Sequence, residues 1–264
     1  MKKLLSIGVS DCIAGSGIQA DLKTFSVYKD YGMTVVTALT SQNTMGVTEV
    51  VNLSPDFVGK QMDAVFEDIY PDAVKIGMVP DEGIIKMVAR KLRQYEAENI
   101  VIDPYMFLLD GSDLMDSKAL KAYKEELLPM ADIVTPTIKE AASLTEIEDT
   151  NSRYDTERTA MGLANMISGV ILIRGGHLLE TADDLLCIDK ELKWMERERL
   201  ENPNTQGAGD TLSSAIAANL ARGRDIETSY KEATEYLVGV IKNGLNLGRG
   251  RGPLNQVYNI KPME

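Results

Sequence analysis

The chain has 264 residues, 44% of them hydrophobic, and a formal net charge of −12. That length and apolar content fit one large α/β domain over residues 1–264 and exclude a disordered chain. The negative balance argues against nucleic acid or an anionic membrane surface as the main partner, and no apolar run approaches the ~20 residues needed to span a bilayer.

The first apolar run ends at Gly8 and Ser10-Asp11, too early for a signal peptide, so a strand is predicted over 4–9. A helix follows over 18–28, with Ile18, Leu22 and Phe25 on one face. The Val- and Thr-rich stretch 33–39 reads as a strand. Residues 55–69 read as a helix with a proline near its start and Phe57, Met62, Val65, Phe66 and Ile69 inward. Strands at 73–76, 99–102, 133–134 and 170–174 alternate with helices at 83–95, 117–128, 139–144 and 156–167. Polar β segments at 184–189 and 192–198 precede two last helices, 209–221 and 226–243. This β–α–β order predicts a mostly parallel central sheet with helices on both faces.

In such sheets ligands bind beyond the carboxyl ends of the strands. Polar or glycine-rich residues fall at those ends: Ser10-Asp11, Gln42-Asn43, Gly77-Met78, Asp103, Thr135-Pro136 and Gly175-Gly176-His177. The stretch Asn204-Thr205-Gln206-Gly207-Ala208-Gly209-Asp210-Thr211 leads into a helix N-terminus. Unpaired amides there, with the helix dipole, make a site for phosphate oxygens. Asp210 falls in the first turn beside that site. A carboxylate so placed can accept the proton of a hydroxyl that attacks a phosphoryl group. It can equally be a plain helix-start acid. The two cysteines, Cys12 and Cys187, lie far apart and imply reduced thiols in the cytoplasm.

The segments Gly15-Ser16-Gly17-Ile18-Gln19-Ala20-Asp21, Thr40-Ser41-Gln42-Asn43-Thr44, Lys75-Ile76-Gly77-Met78, Ile102-Asp103-Pro104 and Asn204 to Ala215 stand in the order of a known family. The chain resembles, along nearly its whole length, the hydroxymethylpyrimidine (phosphate) kinases and their pyridoxal kinase relatives, within the ribokinase-like superfamily. The resemblance implies a ribokinase-like fold and transfer of a phosphoryl group from ATP, with Mg²⁺, to the hydroxymethyl group of a pyrimidine thiamine precursor. It implies Asp210 as the base, and Arg174, Thr205, Gly207, Ala208 and Gly209 around the ATP phosphates. Asp21 and Gln42 are implied to hydrogen-bond the pyrimidine, with Met78 packed on the ring; Asp103 and Glu140 are implied to hold Mg²⁺ through its waters. A homodimer and a small-molecule substrate are expected on the same ground.

Each of these residues also has a plainer reading. Asp21 and Glu140 are helix-start acids, Gln42 a strand-end amide, Met78 a core residue, Asp103 a turn acid before Pro104, and Arg174 a surface arginine. Thr137 stands where the superfamily usually has asparagine, and Tyr105 with Phe107-Leu108-Leu109 replaces smaller groups, which puts binding of a substrate phosphate in doubt. A pyridoxal or pyridoxine kinase, or a non-catalytic vitamin-precursor-binding descendant, are the alternatives.

Overall fold

The computed structural model describes residues 1–107, 111, 113–147, 152–175 and 182–261. Strand β1 (Lys3–Asp11) is followed by α1 (Gly17–Val27), β2 (Tyr31–Asn43), β3 (Gly46–Asn52), α2 (Pro55–Phe66), β4 (Ala73–Ile76) and α3 (Glu82–Gln94). Then come β5 (Ile100–Ile102), α4 (Ser117–Ala122), β6 (Ile133–Val134), α5 (Ile138–Thr145), α6 (Arg153–Leu163) and β7 (Val170–Ile173). The described chain closes with β8 (Asp184–Ile188), β9 (Glu191–Met195), α7 (Ala208–Leu220) and α8 (Ile226–Lys242).

Among the described residues the strands form one nine-stranded sheet in the order β3-β2-β1-β4-β5-β6-β7-β8-β9. The six strands from β2 to β7 along that order pair in parallel, and β3, β8 and β9 add antiparallel edges. The parallel sheet with helices on both faces agrees with expectation. Alternation along the strands decides which face each side chain meets. Leu4, Ala73, Val101, Ile133 and Leu172 pack with Phe25 of α1 and the apolar sides of α7 and α8. Leu5, Ile7, Val74, Ile76, Ile100, Ile102, Val134, Ile171 and Ile173 pack on the opposite layer, built from α2 to α6. By the same alternation Ser6 and Lys75 face α1 and α7.

Several boundaries differ from expectation. Strand β2 runs on to Asn43 and turns back as β3, which the sequence reading did not predict. Most of β3 is exposed, so its residues carry no alternation between core and solvent. The helix expected over 117–128 ends as an α-helix at Ala122; a wider turn over Tyr123–Leu127 and a tighter one over Leu128–Met130 continue it. Pro129 supplies no amide to continue the regular ladder there. Phe57, expected inward, is 52% exposed. The buried stripe of α2 is Val58, Met62 and Phe66 at four-residue spacing, and Phe57 stands beside it. Leu108, Leu109, Gly176 and His177 lie outside the described residues.

Leu92 of α3 is fully buried in the larger core layer. Leu92→Ala is expected to lower unfolding free energy by about 2–5 kcal/mol, read from urea denaturation. A loss below about 1 kcal/mol would mean that this helix face is not packed as described.

Candidate functional site

The strand order reverses direction around β1, which lies between β2 and β4. A crevice opens at such a switch point because the connections leave on opposite faces. A cavity lies there, lined by Gly8 and Val9 of β1, Ser16 and Gly17 at the start of α1, and Lys75, Gly77 and Met78 at the end of β4. Val47 and Val50 of β3, Thr40 and Gln42 of β2, Tyr105, Asp21, Asp103 and Asp210 complete the lining. The unpredicted β3 therefore forms a wall. The β2–β3 turn is tied to the C-terminal loop, where the amides of Arg249 and Gly250 each donate to Thr44 Oγ1 at 3.1 Å.

Five of the expected site residues, Asp21, Gln42, Met78, Asp103 and Asp210, line this cavity around one that was not singled out. Lys75 Nζ lies 2.8 Å from Asp210 Oδ1 and 3.0 Å from Asp21 Oδ1. Its side chain is 1% exposed. Asp210 Oδ2 accepts from the Gly17 amide at 3.1 Å, which binds the start of α1 to the first turn of α7. The Asp210 side chain retains 17% exposure and faces the cavity. The signal for Lys75 was present in the sequence. A lysine in the middle of the apolar strand Ala-Val-Lys-Ile is rarely buried without acidic partners.

Asp21 lines the cavity but differs from expectation. It accepts from Ser6 Oγ at 2.5 Å, Ser214 Oγ at 2.7 Å and Lys75 Nζ, and is 1% exposed. Its oxygens are committed to the protein, so it supports Lys75 and offers no free acceptor to a ring amine. Burial raises the Asp21 carboxyl pKa; Lys75 pulls it down and Asp210 pushes it up, and the result is about 6. Burial alone would depress Lys75, but Asp21 and Asp210 outweigh it and raise its pKa, so the ammonium stays charged.

Gln42 Nε2 donates to Ser16 Oγ at 3.3 Å across the cavity. Met78 is 5% exposed and packs on Val9 and Ala38, presenting an apolar wall.

The glycine-rich loop meets α7 with Gly207 in the left-handed region at φ 86°, a conformation that favours glycine. A Cβ on Gly209 would collide with the Arg174 guanidinium. The Gly209 amide meets no acceptor among the described residues, whereas the Ala208 amide, expected to face phosphate, donates to the Thr205 carbonyl at 3.2 Å. The turn closing onto the helix takes that donor. Thr205 Oγ1, also expected near phosphate, accepts from Arg251 Nη2 at 2.6 Å.

Arg174 is neither a surface residue nor a free cation. Its Nη2 lies 3.0 Å from Asp103 Oδ1 and 3.4 Å from Glu140 Oε2. The two acids expected to hold Mg²⁺ are thus spanned by a guanidinium. Burial raises both carboxyl pKa values, and Arg174 opposes that shift. Glu140 also closes a capping box with Thr137, whose amide donates to Glu140 Oε2 at 2.7 Å. The plainer helix-start reading of Glu140 therefore describes a contact it does make. Asp103 Oδ2 accepts from Ser213 Oγ at 3.2 Å, while the buried Oδ1 has no aligned hydrogen-bond donor. An ion-paired carboxylate oxygen that accepts no aligned hydrogen bond can still take one from a water carried by a hydrated divalent cation, which needs few protein ligands. Among the described residues no group of three or more metal-ligating side chains exists, so direct caging of a metal does not fit.

The profile of the phosphomethylpyrimidine kinase family matches residues 11–255. A hydroxymethylpyrimidine/phosphomethylpyrimidine kinase of Rhizobium meliloti is 41% identical over 96% of both chains. The kinase of that name from Escherichia coli is 36% identical over 98% of this chain and 99% of its own. A phosphomethylpyrimidine kinase structure from Clostridium difficile superposes with a TM-score of 0.81 at 38% identity, covering 91% of this chain and all of the other. A Staphylococcus aureus pyridoxal kinase bound to AMP-PCP and pyridoxal superposes at 0.89 with 30% identity, covering 98% and 95%.

Two outcomes follow from the buried charges. Unfolded, Asp21 titrates near 3.8, and folded near 6, so between those values the folded chain binds more protons. Its contribution to stability is therefore full below about pH 4 and falls as the pH rises toward 6. Chemical denaturation across pH 4–7 should show that fall in wild type and not in Asp21→Asn; parallel curves would reject the assignment. Lys75→Met leaves two carboxylates without their cation and is expected to cost about 3–5 kcal/mol at neutral pH by urea denaturation. An unchanged midpoint would mean that the lysine does not hold the site together.

Proposed function

We infer the reaction from one premise: this chain belongs to the phosphomethylpyrimidine kinase family. We propose that it moves the γ-phosphoryl group of ATP to a pyrimidine thiamine precursor, onto the hydroxymethyl group of hydroxymethylpyrimidine or onto the phosphate already carried by hydroxymethylpyrimidine phosphate. The observation that carries this reading is the pairing of a cavity-facing Asp210 carboxylate with a Gly209 amide, at the N-terminus of α7, that meets no acceptor among the described residues.

In this reading the ring lies between Gln42 and Met78, with Val47 and Val50 over it. Gln42 can donate to and accept from a ring edge. Lys75 and the Gly17 amide fix the orientation of Asp210, so its carboxylate is aimed before substrate arrives. With hydroxymethylpyrimidine as acceptor, the hydroxymethyl oxygen attacks the γ-phosphorus, and its proton passes to Asp210. The bond from that phosphorus to the β–γ bridging oxygen breaks, and ADP leaves. The Gly209 amide and Arg174, which stands against Gly209, stabilise charge on the transferring group. Asp103 and Glu140 would hold Mg²⁺ through water, and the ion would neutralise the polyphosphate.

A second reading, phosphorylation of pyridoxal, is favoured by the likeness to the Staphylococcus aureus enzyme that binds pyridoxal. A cytoplasmic setting agrees with the absence, among the described residues, of any helix long and apolar enough to cross a membrane. We also propose a homodimer through the β2–β3 hairpin, where Leu39 and Val51, partners in the ladder, are 48% and 50% exposed. The continuity of the sheet supports a single kinase domain.

Asp210→Asn keeps the side-chain shape and removes the proton acceptor. It is expected to bind ATP normally and to lose about 10²–10⁴-fold in kcat, measured by coupled ADP release with hydroxymethylpyrimidine. Turnover near that of wild type would reject Asp210 as the base. Tight binding of the pyrimidine by wild type with no ADP release would favour the non-catalytic descendant.

A further inference from the structure

We propose that Asp11 is a positioning residue for the phosphoryl transfer: its carboxylate folds the loop between β1 and α1 so that the Gly17 amide holds Asp210 in one orientation. The inference rests on the reading of Asp210 as the base and concerns what keeps that base in place.

Asp11 ends β1 and is 1% exposed, yet it does not line the cavity. Its oxygens are taken up by the loop that follows. Oδ1 accepts from the Ile13 amide at 2.9 Å. Oδ2 accepts from the Gly15 amide at 2.9 Å, the Ser16 amide at 2.8 Å and Ser16 Oγ at 2.9 Å. Four donors on one buried carboxylate fix the path of the loop, because each would lose its partner if the loop moved. Ser16 is the N-cap of α1, a position where serine usually caps the helix with its own hydroxyl. Here that hydroxyl makes no cap and donates to Asp11 instead.

Helix α1 has no acid in its own first turn. Its first amide, that of Gly17, donates to Asp210 Oδ2 at 3.1 Å, 193 residues away. That contact needs Gly17 close beneath β1. Gly17 stands at φ 59°, and a Cβ there would run into the Val9 carbonyl oxygen. Ala14 is also left-handed, at φ 57°, a conformation disfavoured for a residue with a Cβ. The loop keeps it there through the Ala14 amide, which donates to the Asp11 carbonyl at 2.9 Å, and Lys23 Nζ, which donates to the Ala14 carbonyl at 2.6 Å. Gln19 of α1 ties back to the same strand end, accepting from the Asp11 amide at 2.9 Å and donating to Ser10 Oγ at 2.7 Å. One carboxylate, one short loop and one amide thus connect Asp11 to Asp210. Displacing a reacting group by about 1 Å can cost about a hundredfold in rate.

Asp11→Asn leaves one oxygen for the donors at Oδ2 and sets its own NH2 against the Ile13 amide; Asp11→Ala removes both acceptor oxygens. Amide hydrogen exchange followed by NMR, without nucleotide, is expected to run about tenfold faster at Gly17 in Asp11→Asn than in wild type, with the α3 amides unchanged. With ATP, Mg²⁺ and saturating hydroxymethylpyrimidine, kcat is expected to fall about tenfold in Asp11→Asn and about a hundredfold in Asp11→Ala, with KM for ATP within about threefold of wild type. If Asp11→Ala does not fold, Asp11→Asn alone decides. Unchanged exchange at Gly17, or wild-type kcat in a variant whose Gly17 exchanges faster, would overturn the proposal. So would faster exchange throughout α3 with a lower melting temperature and an unaltered kcat, the pattern of a residue that only stabilises the fold. If wild type releases no ADP, the kinase reading fails, while exchange at Gly17 still decides whether Asp11 holds the contact to Asp210.

Discussion

One buried ammonium joins the parts of the cavity. Lys75 rises from the middle of β4, Asp21 comes from α1 and Asp210 from α7, and the three charges meet where solvent hardly reaches. Burial disfavours the charged forms of both Asp21 and Lys75, and their mutual contact opposes that. Ser6, Ser214 and the Gly17 amide complete the hydrogen bonding, so the cluster is satisfied on most sides. Such clusters contribute little net stability compared with an apolar packing of the same volume. What this one does is hold a partly exposed carboxylate in one orientation at the edge of a cavity.

The sheet order explains why the cluster is there. Strand β1 has parallel neighbours on both sides, and the chain leaves it in opposite directions. In the gap above β1 and β4, strand ends, the start of α1 and the start of α7 come together. Side-chain alternation then aims Ser6 and Lys75 toward α1 and α7, while their neighbours fill the opposite layer. Shifting β4 by one residue would place Lys75 in that apolar layer and dismantle the site.

A second ionic group stands next to the first. Arg174 spans Asp103 and Glu140 and presses against Gly209, a position where any side chain would collide with it. The guanidinium thus serves two neighbours, balancing buried acids and lying against the N-terminus of α7. Glu140 serves two as well, since the same oxygen that faces Arg174 accepts from Thr137. Threonine, with its single hydroxyl, caps α5 here and ties the acid in place.

The amino-acid sequence by itself determined the alternation of strands and helices, because apolar periods of two and about 3.6 residues are local properties. It also determined that Asp210 lies in the first turn of a helix after a glycine-rich loop, and that Asp103 and Met78 end strands. Those facts need only a few neighbouring residues. It did not determine that β2 turns back as β3, since an exposed strand leaves no contrast between its two faces. Lys75 was legible as an anomaly in an apolar strand, yet its partners are 54 and 135 residues away. Only the tertiary structure decided that Asp21 supports the lysine, that Arg174 stands between the two acids, and that the Ala208 amide is taken by the Thr205 carbonyl. Those outcomes depend on distances between segments remote in the chain, and on which charges must share one small volume with little water.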